Sequence, residues 1–148
     1  NLRYALIPYI LKQAEITNKT GFPILRSMIL HYPDDHACWH IDDQFFFGDS
    51  FLVCPIMNDE NCRDVYLPDG EWVDFWSGEK ITGGQWLKNM SFSLSRLPVY
   101  VESGSEIEFY PEPVQCTDDM KLDKSISITF DSQFKGIGSY YQKPDQLP

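Results

Sequence analysis

The sequence predicts a mainly β fold, with a helix and a strand at the N-terminus followed by an antiparallel β-sandwich. Three observations lead there. Apolar residues recur at three- and four-residue spacing through the first twenty positions, then alternate with polar ones beyond about residue 51. Turn signals punctuate that second part at strand-length intervals: Pro68-Asp69-Gly70, Ser77-Gly78-Glu79, Gly83-Gly84 and Ser103-Gly104-Ser105. The 148 residues include 10 Phe, 8 Tyr and 4 Trp, which is ample apolar area for a core.

Leu2, Ala5, Leu6, Tyr9, Gln13 and Ile16 set out an amphipathic helix of about 18 residues. Asn1 is its candidate N-cap, and Gly21 with Pro23 its stop. Pro8 lies inside and removes one backbone hydrogen bond, so a kink is expected there. Residues 23–30 form an apolar run of the kind found in a strand buried on both faces of a parallel sheet. Arg26 interrupts that run. A guanidinium there requires a carboxylate or several carbonyls, and a structural ion pair is preferred over contact with a ligand. After a polar loop to His40, residues 42–49 are expected to form a short helix ending at Gly48, and residues 51–56 a strand. Further strands are expected over 63–67, 71–76, 80–82, 85–92 and 98–101. Ile126, Ile128 and Phe130 alternate with Ser127 and Thr129 as one more. Residues 136–144 suit a loose tail or a strand completed elsewhere.

Net charge is −10 and unevenly placed. Arg3, Lys12, Lys19 and Arg26 against Glu15 alone give residues 1–30 a net +3, so the remainder carries −13. That balance argues against nucleic acid or an anionic membrane as partner and is compatible with a neutral ligand such as a sugar. No apolar run approaches the ~20 residues of a membrane span. Cys38, Cys54, Cys62 and Cys116 show no C-x-x-C spacing, which favours free thiols in a reducing, cytoplasmic setting. The chain opens on Asn1 within the helical pattern, as a fragment would.

Several residue groups could carry chemistry. His31, His36 and His40, with Cys38, Asp34 and Asp35 among them, offer zinc-type ligands, but their spacing matches no closed four-ligand pattern. A polar loop with no metal is the preferred account. Asp34 with Asp35, Asp42 with Asp43, and Asp118 with Asp119 are carboxylate doublets of the type glycoside hydrolysis uses. Sequence neighbours on a strand point to opposite faces, so capping and loop solvation explain the doublets better. Trp72, Phe75, Trp76 and Trp86 could stack on sugars, Trp72 and Trp76 sharing one strand face with Asp74, although a core role is favoured. There is no G-x-S-x-G, P-loop or G-x-G-x-x-G motif, and no cofactor is implied.

Taken in order, the motifs resemble the C-terminal part of glycoside hydrolase family 31, the α-glucosidase and α-xylosidase family. Arg3-Tyr4-Ala5-Leu6-Ile7-Pro8-Tyr9-Ile10 resembles its R-Y-x-L-L-P-Y-I helix, and Gly21-Phe22-Pro23-Ile24-Leu25-Arg26 its G-x-P-V-M-R strand. Tyr32-Pro33-Asp34-Asp35 is similar to F-P-D-D. Asp42-Asp43-Gln44-Phe45, continuing through Gly48-Asp49-Ser50-Phe51-Leu52-Val53-Cys54-Pro55-Ile56, is similar to D-x-Q-F-M-x-G-D-x-L-L-V-A-P-V. Residues 65–79 resemble V-Y-L-P-x-G-x-W-x-D-F-W-T-G-E, and Leu97-Pro98-Val99-Tyr100-Val101 resembles I-P-V-F-V. The chain departs at Glu102, where the family has Arg, and at Glu106 and Glu108.

The resemblance implies that residues 1–50 are the last elements of a (β/α)₈ barrel. Residues 51–112 would then be the proximal β-sandwich, and residues 113–148 the start of a distal β domain or a tail. It implies a retaining α-glycosidase acting on terminal α-linked glucose or xylose of oligosaccharides, with one aspartate as nucleophile and another as acid and base. Both belong to earlier barrel motifs that do not occur in these 148 residues. No residue here therefore inherits catalysis, and Arg26, Asp42 and Asp43 are expected as structural supports. The partner implied is the rest of the barrel, with self-association through exposed apolar surface in its absence. The alternative is a non-catalytic carbohydrate-binding sandwich that uses Trp72 and Trp76.

Overall fold

A computed structural model describes residues 2–93, 96–112, 114 and 116–140. The N-terminal helix comes as two pieces, α1 (Leu2–Ala5) and α2 (Ile7–Thr20). Pro8 falls in the first turn of α2, where a missing N–H matters least, so the expected kink is a break at Leu6 instead. Bonds from Leu6 N–H to Leu2 O (3.0 Å) and from Ile10 N–H to Leu6 O (2.9 Å) carry the ladder past it. Gly21 ends α2 at φ +78°, its N–H on the Thr17 carbonyl at 2.8 Å. The candidate N-cap Asn1 lies outside the described residues.

Among the described residues ten strands follow: β1 (Leu25–Ser27), β2 (Phe45–Phe47), β3 (Phe51–Val53), β4 (Cys62–Leu67), β5 (Glu71–Asp74), β6 (Lys80–Thr82), β7 (Gln85–Ser91), β8 (Val99–Glu102), β9 (Glu106–Phe109) and β10 (Ile126–Thr129). Six of them form one sheet in the order β1-β2-β3-β8-β5-β6, and β4 with β7 and β9 with β10 form two ribbons. Every pairing is antiparallel.

Four local expectations are corrected. Residues 23–30 are not a strand of a parallel sheet: only Leu25–Ser27 is extended, antiparallel to β2 at the sheet's edge, and Met28–His31 turns as a short helix, α3. Residues 42–49 are not helical. Phe45–Phe47 is a strand between β1 and β3, and Gly48, at φ +70°, opens the turn into β3 rather than ending a helix. A Cβ at Gly48 would overlap the Tyr9 hydroxyl, so both the backbone and the packing require glycine. The strand expected over 71–76 ends at Asp74, because that side chain accepts the N–H groups of Trp76 (2.9 Å) and Ser77 (2.7 Å) and turns the chain. Likewise β3 is shorter than 51–56, although Cys54 N–H still reaches the Pro98 carbonyl at 3.0 Å.

Alternation assigns the six-stranded sheet to two cores. Phe51, Val53, Val73, Val99 and Val101 point to one face, where Ile107, Phe109 and Ile128 of β9 and β10, with Phe130, cover them beside Ala5 and Tyr9. Phe46, Leu52, Trp72 and Tyr100 point to the other face, covered by Val65, Tyr66 and Leu67 of β4 together with Met28 and Cys38. The central sheet is thus buried on both sides, with a ribbon on each.

From the segment 113–148, Ile128, Phe130, Phe134 and Ile137 join the first core, and Ile137 N–H donates to the Phe75 carbonyl at 3.0 Å. Glu106 and Glu108, the departures from the family pattern, lie on the exposed side of β9, with Ile107 and Phe109 inward. No helix among the described residues is long and apolar enough to cross a membrane.

Candidate functional site

Three polar clusters and one apolar recess hold most of the residues singled out by sequence. In the first cluster, Gln44 is buried and its amide spans the backbone of β4. Its Nε2 donates to Tyr66 O (2.9 Å), and its Oε1 accepts Tyr66 N–H (2.8 Å). Arg63, also buried, donates to the carbonyls of Asp43 (2.8 Å), Asp64 (3.0 Å) and Pro55, and pairs with the Asp43 carboxylate at 2.8 Å. One guanidinium therefore fastens the loop before β2 and the exit of β3 to β4. Asp42, beside it, is exposed.

Arg26 anchors the second cluster. Its Nε donates to Pro23 O (2.9 Å), its Nη2 to Gln13 Oε1 (3.3 Å), and its guanidinium lies 5.5 Å from the Phe22 ring centre. The expected carboxylate is replaced by an amide, a carbonyl and a ring; among the described residues no ion pair involves it. Close by, the Tyr9 hydroxyl lies 2.9 Å from Phe47 O and 3.3 Å from Asp49 Oδ1, and accepts Ser50 N–H at 3.2 Å. Burial works against the charge on Asp49, but Gln13, Ser50 and Tyr9 outweigh it and hold the carboxyl below its ordinary value.

The third cluster is an open polar cleft of about 680 Å³ lined by His31, residues 32–36, Tyr66 and Asp69. Asp35 caps a short 3₁₀ turn, His36–His40, by accepting Ala37 N–H (3.0 Å), and its other oxygen accepts the Tyr66 hydroxyl (2.7 Å). His31 stacks on Phe46 with ring centres 3.9 Å apart, and burial, reinforced by the Arg26 charge, lowers its pKa. Burial pushes the Cys38 thiol up to about 12, with Asp35 adding to the effect. His36 faces Trp39 at 4.6 Å, and among the described residues no three His, Cys, Asp or Glu side chains are placed to hold a metal. Asp118 is exposed in a 3₁₀ turn, and the side chain of Asp119 lies outside the described residues.

Trp72 and Trp76 do not share a face. Trp72 is fully buried in the second core, its Nε1 donating to Pro68 O at 2.8 Å. Trp76 lies in the turn after β5, its Nε1 on Leu97 O at 2.7 Å, and lines an apolar recess of about 470 Å³. Leu2, Leu6, Leu25, Phe45 and Phe47 complete much of that lining.

A general acid needs a raised carboxyl pKa. Those with displaced values among the described residues, Asp49, Asp64 and Glu112, all go down. Asp64 does so through Lys88 at 2.8 Å, and Glu112 through Lys124 at 2.8 Å.

Residues 21–107 match the family model described as the glycosyl hydrolase family 31 C-terminal domain. The chain belongs to glycosyl hydrolase family 31. Its relatives include an isomaltosyltransferase of Sporosarcina globispora, 39% identical over 71% of this chain and 10% of the relative. Another is an alpha-xylosidase of Saccharolobus solfataricus, 37% identical over 70% of this chain and 14% of the relative. Among solved structures, a Flavobacterium johnsoniae GH31 dextranase complexed with isomaltotriose superposes at a TM-score of 0.78, with 32% identity over 89% of this chain and 16% of that one. The family 31 alpha-xylosidase of Xanthomonas citri superposes at 0.69 with 37% identity over 74% of this chain and 12% of that one. The chain thus spans about a tenth to a sixth of the length of these relatives.

Two features escaped sequence reading. Arg63 sits in an alternating strand, where a charge reads as solvent-facing, and only its three carbonyl partners reveal its role. The cleft joins residues 31–36 to Tyr66 and Asp69, at least thirty positions apart.

Proposed function

We propose that this chain braces the catalytic barrel of a larger family 31 α-glycosidase and supplies no catalytic carboxylate of its own. One observation carries the proposal: the apolar recess beside edge strand β1 stays open, with Leu25 at its rim 61% exposed. Phe22, Ile29, Leu30 and Leu97 are also exposed large apolar side chains. An apolar surface of this kind calls for a cover, and since the chain spans a small fraction of its relatives, the rest of such an enzyme is the natural one.

In this account residues 1–50 end the barrel and residues 51–112 belong to the proximal β domain. The nucleophilic and acid–base aspartates of the retaining reaction lie in the partner barrel, where terminal α-linked glucose or xylose would be released. The downward shifts at Asp49, Asp64 and Glu112 are in keeping with that division of labour. The thiols of Cys38 and Cys54 are buried and that of Cys62 is part-buried, none of the three in a disulfide, which suits a cytoplasmic setting.

The purified chain should show no turnover of aryl α-glucosides or α-xylosides above a blank. Turnover that follows a single protein species through purification would overturn the bracing role. The chain should also self-associate on sizing and bind an apolar dye at the recess. A strictly monomeric profile without dye binding would remove the need for a cover.

A further inference from the structure

We infer that the cleft between residues 31–36 and the end of β4 is a binding site for a short neutral oligosaccharide, separate from any catalytic centre. The inference rests on family 31 membership only for the choice of sugar; the site itself comes from the geometry.

At about 680 Å³ the cleft falls within the range of small-molecule sites. Its lining combines two tyrosines, Tyr32 and Tyr66, with His31, His36 and the carboxylates of Asp34, Asp35 and Asp69, and contains no lysine or arginine. Acidic walls without a cation disfavour phosphates and other anions. A neutral sugar fits, because its hydroxyls donate to carboxylates while its C–H faces lie against aromatic rings.

The walls are set before any ligand arrives. Asp35 is held by Ala37 N–H and the Tyr66 hydroxyl, Asp35 N–H lies 3.3 Å from Tyr32 O, and Trp39 Nε1 donates to Pro33 O at 2.8 Å. A tyrosine oxygen that donates to Asp35 still accepts, and each bound carboxylate oxygen keeps a free lone pair. Asp34 and Asp69 are exposed at the rim and carry the open acceptors. Such preorganisation lowers the ordering cost of binding. Beside Tyr66 and outside the cleft lining, the Trp86 ring lies 5.2 Å away and is 41% exposed, with the Lys88 ammonium 4.8 Å over it.

The test is calorimetric titration of the full 148-residue chain with isomaltotriose and with maltotetraose, in calcium-free and calcium-containing buffer. Saturable binding is expected in both buffers. Asp34→Ala combined with Asp69→Asn, at exposed positions, should weaken it by about tenfold or more, the loss of charge-assisted hydrogen bonds. Trp86→Ala, also at an exposed position, should weaken binding and abolish a saturable change in tryptophan emission. Absence of binding in the low millimolar range overturns the inference. Binding that needs calcium overturns it in favour of a cation site, and binding that ignores the cleft variants but is lost in Trp76→Ala places the sugar elsewhere. None of these outcomes touches the bracing role, which stands or falls on hydrolysis and on the apolar recess.

Discussion

The two faces of the central sheet are built from neighbouring residues of the same strands, yet one is sealed and the other is not. Leu52, Trp72 and Tyr100 face a core closed by β4 and locked at its margins by Gln44 and Arg63. Phe51, Val73, Val99 and Val101 face a core that β9, β10 and the N-terminal helix cover only partly, leaving the recess at Phe45, Phe47, Trp76 and Leu97. Polar groups mark the difference. The sealed side spends buried amide and guanidinium groups on backbone partners, a device that is stable only when every partner is in place. The open side has a nearly wholly apolar lip, which is adaptable and suits a surface meant to be covered.

This contrast can be broken from either side. Trp72→Ala should cost about 3–5 kcal/mol, the range for emptying a packed aromatic site, while Phe47→Ala, partly buried at the recess, should cost less than half as much in urea unfolding. Equal losses would erase the distinction between sealed and open faces. Arg63→Met leaves the carbonyls of Asp43, Asp64 and Pro55 without their donor and should cost about 2–3 kcal/mol, with the unfolding midpoint as readout. A neutral result would mean that water replaces the guanidinium and that the lock is unnecessary. Gly48→Ala must adopt a positive φ and displace the Tyr9 hydroxyl, an expected loss of about 1–3 kcal/mol. Leu25→Lys should leave stability within about 0.5 kcal/mol yet reduce self-association on sizing; unchanged association would move the sticky surface elsewhere.

The smallest expected effect is one of pH. Burial and Arg26 lower the His31 pKa below its ordinary 6.5, so the folded chain binds fewer protons there than the unfolded one. Its contribution to stability is full above 6.5 and is lost as pH falls from 6.5 through the lowered folded value. Comparing His31→Gln with the parent across that window should show a flatter acid limb, and identical slopes would remove His31 as its source.

Much of this was legible in the residues. The turn signals gave the antiparallel strands over 62–67, 80–82, 85–91 and 99–102 to within a residue or two, since Gly and Pro act locally. The triplet Phe45-Phe46-Phe47 reads as helix in the sequence because an unbroken aromatic run has no period of its own, and only pairing on both sides decides it. Residues 23–30 were misread for a related reason. Their apolar content signals burial, but Leu25, Ile29 and Leu30 are exposed in this chain. For the candidate site, Asp34, Asp35 and the histidines were visible as a polar loop, but Tyr66 and Asp69 reach it through tertiary packing alone. Trp72 and Trp76 looked equivalent in sequence until the Asp74 side chain ended the strand between them.

Gln44 has one more consequence. By occupying both the N–H and the C=O of Tyr66, its amide stands where an adjoining strand would otherwise pair, on the side of β4 turned away from β7. A bare strand edge is a template for intermolecular zippering. A single side chain thus blunts that edge and guards the chain against sheet-to-sheet growth.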